Sequence, residues 1–342
     1  MTARAIVVGA GICGAATAFE LHSRGLDVLL LDRGAVSSGT TGLGEGNVLV
    51  SDKPPGVERD LATLGRALWE DLGARFPQAR VTRKGALLLG AGADVSALEP
   101  ALAPGVLGEL EPGDLQVDPR GLTCALAAHV DVREGVEVVA IEAVAHGAHE
   151  VVLAGGTRLC ADHVVVCTGP WAADLTGLPV EPRKGQLVAL AAPPGLIRHK
   201  LVDASYLDAV AGPTGDLALA SVIEQTLDGD EVLVGSSRER VGFDATVRPE
   251  VTAALIERAA RWVPAVASLP VTRSWCGFRA WLPDGLPAIG QLASGVWTTT
   301  GHEGAGVGLG PISGRLLAQL ICDERPLTDP APFDPRRYGR MP

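Results

Sequence analysis

The chain has 342 residues, enough for two domains built around one shared ligand. With 47% hydrophobic and 20% charged residues it has the composition of a packed, folded protein and not of a disordered one. The formal net charge of −11, without any Lys/Arg-rich block, argues against phosphate-backbone partners, so no nucleic acid is expected.

The longest apolar stretches are of strand length, which predicts no membrane span. Thr2, Ala3 and Arg4 are all that separates the initiator Met from the first apolar run. With no charged n-region, apolar h-region or cleavage site, no signal peptide is expected, and the expected location is the cytoplasm. Cys13, Cys124, Cys160, Cys167, Cys276 and Cys322 form no C-x-x-C pair. His163 lies between Cys160 and Cys167, but that segment reads as a buried strand without a fourth ligand. The cysteines are therefore expected to be small buried apolar residues in a reducing compartment, and no metal site is expected.

In chain order, Ala5–Val8 is a short apolar run suited to a buried parallel strand. Gly9-Ala10-Gly11-Ile12-Cys13-Gly14 follows, matching G-x-G-x-x-G, and Ala15–Ser23 is rich in helix formers before Gly25. Leu26–Leu31 is a second strand ending at Asp32-Arg33. Each glycine has its own task. Gly9 permits the tight turn, Gly11 lets a pyrophosphate approach the helix N-terminus, and Gly14 lets helix and strand pack closely. Asp32 is placed to accept hydrogen bonds from ribose hydroxyls. Strand, glycines, helix, second strand and acid in that order mark a dinucleotide site.

A second loop, Ser37–Asn47, is again rich in glycine and hydroxyl residues. It offers donors for a pyrophosphate and for the edges of a flavin ring, whereas a nicotinamide enzyme has no evident need of it. FAD is thus the expected dinucleotide. Further on, Glu58–Phe76 carries Leu61, Leu64, Leu68 and Leu72 at helical spacing. Residues 184–273 show short alternating strands, including Glu231–Ser236, and a helix over Pro249–Val263. Near the end, Thr300–Pro311 reads T-G-H-E-G-A-G-V-G-L-G-P before an apolar helix over Ile312–Ile321. The N-terminus of that helix is suited to stabilising the negative charge of a reduced flavin.

These segments resemble the D-amino-acid-oxidase family of FAD oxidoreductases from residue 4 to about 322, through His163–Trp171 (H-V-V-V-C-T-G-P-W), Trp275–Arg279 (W-C-G-F-R) and Asp284–Gly290 (D-G-L-P-A-I-G). The resemblance implies an α/β fold: a Rossmann-type FAD-binding domain with a ββα-like three-layer core, plus a smaller α+β substrate domain with an antiparallel sheet. The FAD domain would be discontinuous, over 1–50, 115–183 and 274–328. Residues 51–114 and 184–273 would form the substrate domain, and 329–342 an extended tail able to dock on a partner. Besides the three glycines, the implied FAD contacts are Ile12, Cys13, Asp32, Arg33, Thr40, Thr41, Glu45, Gly46 and Asn47. Val138, on a strand within Gly135–Glu142, then Thr168, Gly169, Trp171, Gly277 and Arg279 continue the set. It closes with His302, Glu303, Gly304, Ala305, Gly306, Val307 and Gly308. No Cys lies in the C-terminal glycine-rich turn, so the FAD is expected to be non-covalent.

The family reaction so implied is oxidation of an amino acid or amine. A hydride passes from the amine-bearing carbon to flavin N5, and water hydrolyses the resulting imine. The protein then contributes mainly orientation, which requires a carboxylate anchor. Arg279 matches the family's anchor, and a guanidinium offers a permanently charged planar fork. A structural pairing of Arg279 with Asp284 is the alternative. Gly304 stands where glycine oxidases have a second substrate contact, leaving room for a bulkier or ring-shaped side chain. Arg238 falls near the place where sarcosine oxidases carry an oxygen-activating Lys; the alternative is a surface Arg among Arg238, Glu239 and Arg240. Tyr206 has a hydroxyl able to reach a carboxylate, with a structural role as its alternative. His302 is expected to act through its backbone on the flavin side.

Gly44–Lys53 and Ser236–Asp244 more narrowly resemble the catalytic subunits of multi-subunit dye-linked dehydrogenases, such as D-hydroxyproline dehydrogenase and hydrogen cyanide synthase. That implies partner subunits that accept the electrons. An oxygen-using oxidase and a non-catalytic flavin subunit are the competing readings. A flavin monooxygenase is disfavoured because its G-D motif is missing from the C-terminal region.

Overall fold

The computed structural model describes residues 3–144, 148–204 and 217–339. Its first sheet has six strands in the order Ala288–Ala293, Val296–Thr300, His163–Val166, Arg4–Val8, Asp27–Leu31 and Asp131–Arg133. All neighbours run parallel except the outermost Ala288–Ala293, which is antiparallel to Val296–Thr300. Parallel strands are covered on both faces, which is why Ala5–Val8 is apolar throughout and buried. Ala5 and Val7 pack towards helices Ile12–Ser23, Val57–Arg75 and Gly306–Ile321. Ile6, Val8, Leu29 and Leu31 pack against Val138 and Val151 of a three-stranded antiparallel sheet. Helices, parallel sheet and small antiparallel sheet give the expected three-layer α/β core.

The second large sheet has seven strands, in the order Val271–Trp281, Glu181–Ala191, Glu231–Arg238, Ala218–Gln225, Lys200–Asp203, Ala86–Asp94 and Leu107–Glu111. It is not wholly antiparallel as expected, because Lys200–Asp203 runs parallel to Ala86–Asp94. Those two strands come from different inserted segments, so no hairpin dictates their sense. Val188, Leu190, Ile223, Val232 and Val234 pack on helix Pro249–Ala260 through Val251, Leu255 and Ala259. With a side-chain period of two, the alternate residues face the other way, towards the first sheet's helix ends.

Three expectations are corrected. The C-terminal helix is longer than Ile312–Ile321 and begins at Gly306. The glycines from Gly306 to Gly310 belong to that helix and not to a turn: a Cβ on Gly310 would meet Ile12 Cγ2 at 2.9 Å on the first helix. The tail is not extended either. Residues 331–333 and 335–338 form two 3-10 turns, with Phe333 buried and Pro335 against Gly290. Of the cysteines, only Cys167 is buried, while Cys124 and Cys160 are exposed. No helix among the described residues is long and apolar enough to cross a membrane.

Candidate active site

The two large sheets enclose one elongated cleft of about 650 Å³, within the size range of small-molecule and cofactor sites. Its far end holds Asp32, Arg33 and Val138. Gly9, Gly11, Ile12, Cys13, Thr40, Thr41, Thr168, Gly169 and Trp171 line its middle. Glu45, Asn47, Gly277, Arg279 and the whole stretch His302–Gly308 line the remainder. Of the sequence-expected residues that are described, only Gly14, Gly46 and Arg238 are off its wall. Gly14 and Gly46 are packing glycines, whose Cβ atoms would run into the carbonyl oxygens of Gly9 and Val117. Tyr206 lies outside the described residues.

The middle is built for a dinucleotide. Gly9 has φ +104°, and a Cβ there would sit 2.5 Å from Cys167 O, so the turn requires glycine. The Asp32 carboxylate accepts from Ala10 N at 2.6 Å and Gly34 N at 2.7 Å, fastening the glycine turn to the end of the second strand. Thr41 Oγ1 accepts from Ile12 N at 3.0 Å and braces the second glycine-rich loop against the first helix. Arg33 lies over the Trp171 ring at 4.4 Å, forming a rim. Thr168 Oγ1, Glu45 Oε1 and Asn47 Oδ1 are buried in this wall without a hydrogen-bond partner among the described residues. Buried polar atoms are normally satisfied, so a polar occupant with both donors and acceptors suits the wall. The hydroxyls and ring edges of FAD would supply both kinds to Thr168 and Asn47.

The opposite end is ionic. Arg279, in strand Val271–Trp281, is paired across the sheet with Arg183. Its side chain lies over Gly185 of the neighbouring strand, where a Cβ would run into the guanidinium. Arg279 Nη1 donates to the Ser237 carbonyl at 3.1 Å, and its Nε lies 4.0 Å from Glu303. Arg238 Nε donates to the same Glu303 carboxylate at 3.1 Å, and Arg183 Nη1 lies 3.5 Å from it. Burial would push the Glu303 carboxyl up, but Arg238, Arg279 and Arg183 outweigh it and bring it down to about 2. The backbone of Glu303 adopts φ +46°, uncommon for a non-glycine residue. Arg238 is buried, so the surface alternative fails, and it stands behind Glu303 rather than on the cleft wall. The Asp284 alternative fails as well: that carboxylate takes Arg337 at 2.6 Å, from the docked C-terminal turns.

A family model described as FAD dependent oxidoreductase (DAO) matches residues 4–320. The chain belongs to the DAO family of FAD-dependent oxidoreductases. The glycine oxidase of Pseudomonas putida is 28% identical over 100% of both chains. The hydrogen cyanide synthase subunit HcnC of Pseudomonas protegens is 32% identical over 73% of this chain and 60% of its own. The crystal structure of glycine oxidase from Geobacillus kaustophilus superposes with a TM-score of 0.83 at 28% identity, covering 100% of each chain. L-proline dehydrogenase from P. horikoshii shares the fold, with a TM-score of 0.88 at 21% identity over 99% and 98% of the two chains. The protein is thus an FAD-dependent amino-acid oxidoreductase.

Several wall residues of this oxidoreductase escaped the sequence reading. Gly185, Leu187, Lys200, Val202, Val222 and Ser236 all face the cleft from the seven-stranded sheet. The available signal was Lys200, a charge in the otherwise strand-like Lys200–Asp203. Its Nζ lies 3.1 Å from Glu45 Oε2 and 3.5 Å from Glu224 Oε2. Burial pushes the Glu224 carboxyl up, against the pull of Lys200 and Lys84. His302, on the wall, is fully enclosed and its imidazole is pushed down by burial to about 4. Its Nε2 lies 3.0 Å from Ser313 Oγ, so the neutral ring ties the glycine-rich turn to the C-terminal helix.

Proposed function

We propose that the protein oxidises an amino acid or a secondary-amine acid to its imine, with Arg279 as the carboxylate anchor, and acts as the catalytic subunit of a heteromeric dehydrogenase. Bound FAD supplies the two-electron acceptor. The observation that carries the reading is the placement of Arg279: it opens on the cleft while Gly185 and Ser237 hold its fork in one orientation. A guanidinium so held can take a carboxylate through two parallel hydrogen bonds. Gly9, Gly11, Asp32, Thr40, Thr41 and Thr168 would hold the adenosine and pyrophosphate, without a covalent link. The His302–Gly308 stretch would hold the ring system. Gly304 adds no side chain to the wall and leaves space for a larger substrate.

The dehydrogenase form is supported by the similarity to HcnC, which is named as a subunit of hydrogen cyanide synthase. An oxygen-using oxidase is the second reading, favoured by full-length similarity to glycine oxidases. The test is anaerobic mixing of the FAD-loaded protein with a panel of D- and L-amino acids, followed by exposure to air or to an artificial dye. Flavin bleaching that air reverses slowly and the dye rapidly is expected; rapid reversal by air establishes the oxidase. Arg279→Met is expected to weaken substrate binding by about a hundredfold, as loss of two charge-assisted hydrogen bonds would. Unchanged flavin reduction in that variant rejects the anchor.

A further inference from the structure

The orphaned oxygen of Glu45 has a definite relation to Arg279. Both side chains lie on the cleft-facing side of the same two strands, Glu181–Ala191 and Glu231–Arg238. Arg279 covers Gly185 and donates to the Ser237 carbonyl. Glu45 Oε1 sits over Gly235, where a Cβ would be 3.2 Å from it, beside the Leu187 side chain. Gly185 to Leu187 is one two-residue step along the regular strand Glu181–Ala191, a rise of about 7 Å. The cationic fork over the first and the anionic oxygen beside the second are separated by a gap of that order.

The carboxylate is held from one side only. Its Oε2 accepts from Asn47 Nδ2 at 2.6 Å and from Lys200 Nζ at 3.1 Å. Lys200 is in turn backed by the fully buried Glu224. Nothing among the described residues donates to Oε1. An N–H donor on an occupant of the cleft would satisfy it, since a buried carboxylate oxygen without a hydrogen bond is costly. An amino acid with its carboxylate on Arg279 carries its nitrogen one carbon further on. Two hydrogen bonds of about 2.9 Å plus that short span fill a gap of this length.

We infer that Glu45 is the specificity residue for the substrate's amine, accepting an N–H on Oε1 while Arg279 holds the carboxylate, so that the cleft selects zwitterionic amino acids over plain carboxylic acids. The inference rests on the proposed anchoring role of Arg279. Asn47 and Lys200 are positioning residues, which turn Oε1 towards the cleft by occupying Oε2.

The test uses ligands that cannot be oxidised because their α-carbon bears no hydrogen. 2-Aminoisobutyrate and 2-methylproline are titrated by calorimetry into the oxidised, FAD-loaded protein, each against its partner without the nitrogen, isobutyrate and 1-methylcyclopentanecarboxylate. Wild type is expected to prefer the amine-bearing member by about tenfold, the worth of one hydrogen bond to a charged group. Glu45→Gln is expected to bring the two members of a pair to similar affinity while leaving the desamino acids bound as in wild type. Glu45→Asp, which keeps the charge and shortens the reach, is expected to fall between, and flavin content reports whether each variant is folded and loaded. A preference that survives Glu45→Gln overturns the inference alone, as does a variant that loses FAD while Glu45→Asp keeps the full preference. If wild type binds neither member of either pair, or Arg279→Met binds the desamino acids as well as wild type, the proposed anchor fails and the inference falls with it.

Discussion

The guanidinium of Arg279 rests against the bare Cα of Gly185 in the adjacent strand, and no β-carbon fits between them. One glycine thereby fixes the height of the arginine above the sheet. Gly185 is not in the left-handed region, so alanine is conformationally acceptable there and meets only the far end of a flexible side chain. Gly185→Ala is expected to leave thermal stability unchanged or raise it by up to about 1 kcal/mol, through a less flexible unfolded chain. Flavin reduction by the best amino acid should fall by about a hundredfold, because the anchor is displaced by about an ångström. Stopped-flow reduction beside a thermal scan separates the two effects, and an unaltered reduction rate would show that the position of Arg279 is unimportant.

Glu303 links acid stability to the same cluster. Its carboxyl lies at about 2 in the folded chain against an ordinary 4.5. A depressed carboxyl contributes stability that is complete above about pH 4.5 and is lost as pH falls towards 2. The contribution amounts to about 3 kcal/mol. Urea unfolding of Glu303→Gln across that range should show a flatter profile than wild type and a lower midpoint at neutral pH, since Arg238, Arg183 and Arg279 lose a shared partner. Parallel profiles would mean that the carboxylate is not held by the arginines in solution.

His302 governs a different window. Buried neutral, it titrates at about 4 against an ordinary 6.5. The unfolded chain therefore binds the proton first, and stability present above about pH 6.5 declines as pH falls towards 4. His302→Gln retains a hydrogen-bonding group for Ser313 and removes the titration. Its unfolding midpoint should vary less than that of wild type between those limits, and equal slopes would refute the buried neutral imidazole.

Gly14→Ala places a methyl group against the backbone carbonyl of Gly9 and the Cβ of Cys167, neither of which is the far end of a flexible side chain. Overpacking of this kind costs about 1–3 kcal/mol, here at the turn that lines the cleft. Purified variant protein should contain much less flavin per chain than wild type. Full flavin occupancy would show that the turn can open to accept the methyl group.

The N-terminal half of the cofactor cleft was legible because it is local. Gly9, Gly11, Gly14 and Asp32 belong to one strand–turn–helix–strand unit whose geometry follows from short-range sterics. Apolar period also located the helices Val57–Arg75 and Pro249–Ala260 to within a few residues. The glycine-rich stretch after Thr300 was misleading. Gly306, Gly308 and Gly310 suggest a loop by propensity, yet they are helical, because the bare backbone at Gly308 and Gly310 lets that helix press on the Val57–Arg75 helix and on Ile12. Tertiary packing overrode the local preference.

The sequence by itself determined the dinucleotide unit, the alternation of strands and helices, and Arg279 as a candidate anchor. The tertiary structure alone decided which charges meet. Glu303 gathers Arg183, Arg238 and Arg279 from three strands, and Glu45 meets Lys200 across more than half the span between the glycine loops. Such partners depend on strand register and on the crossing of distant segments. Burial then gives each charge its effect: water would screen these groups in an extended chain, and the packed cleft leaves them only one another.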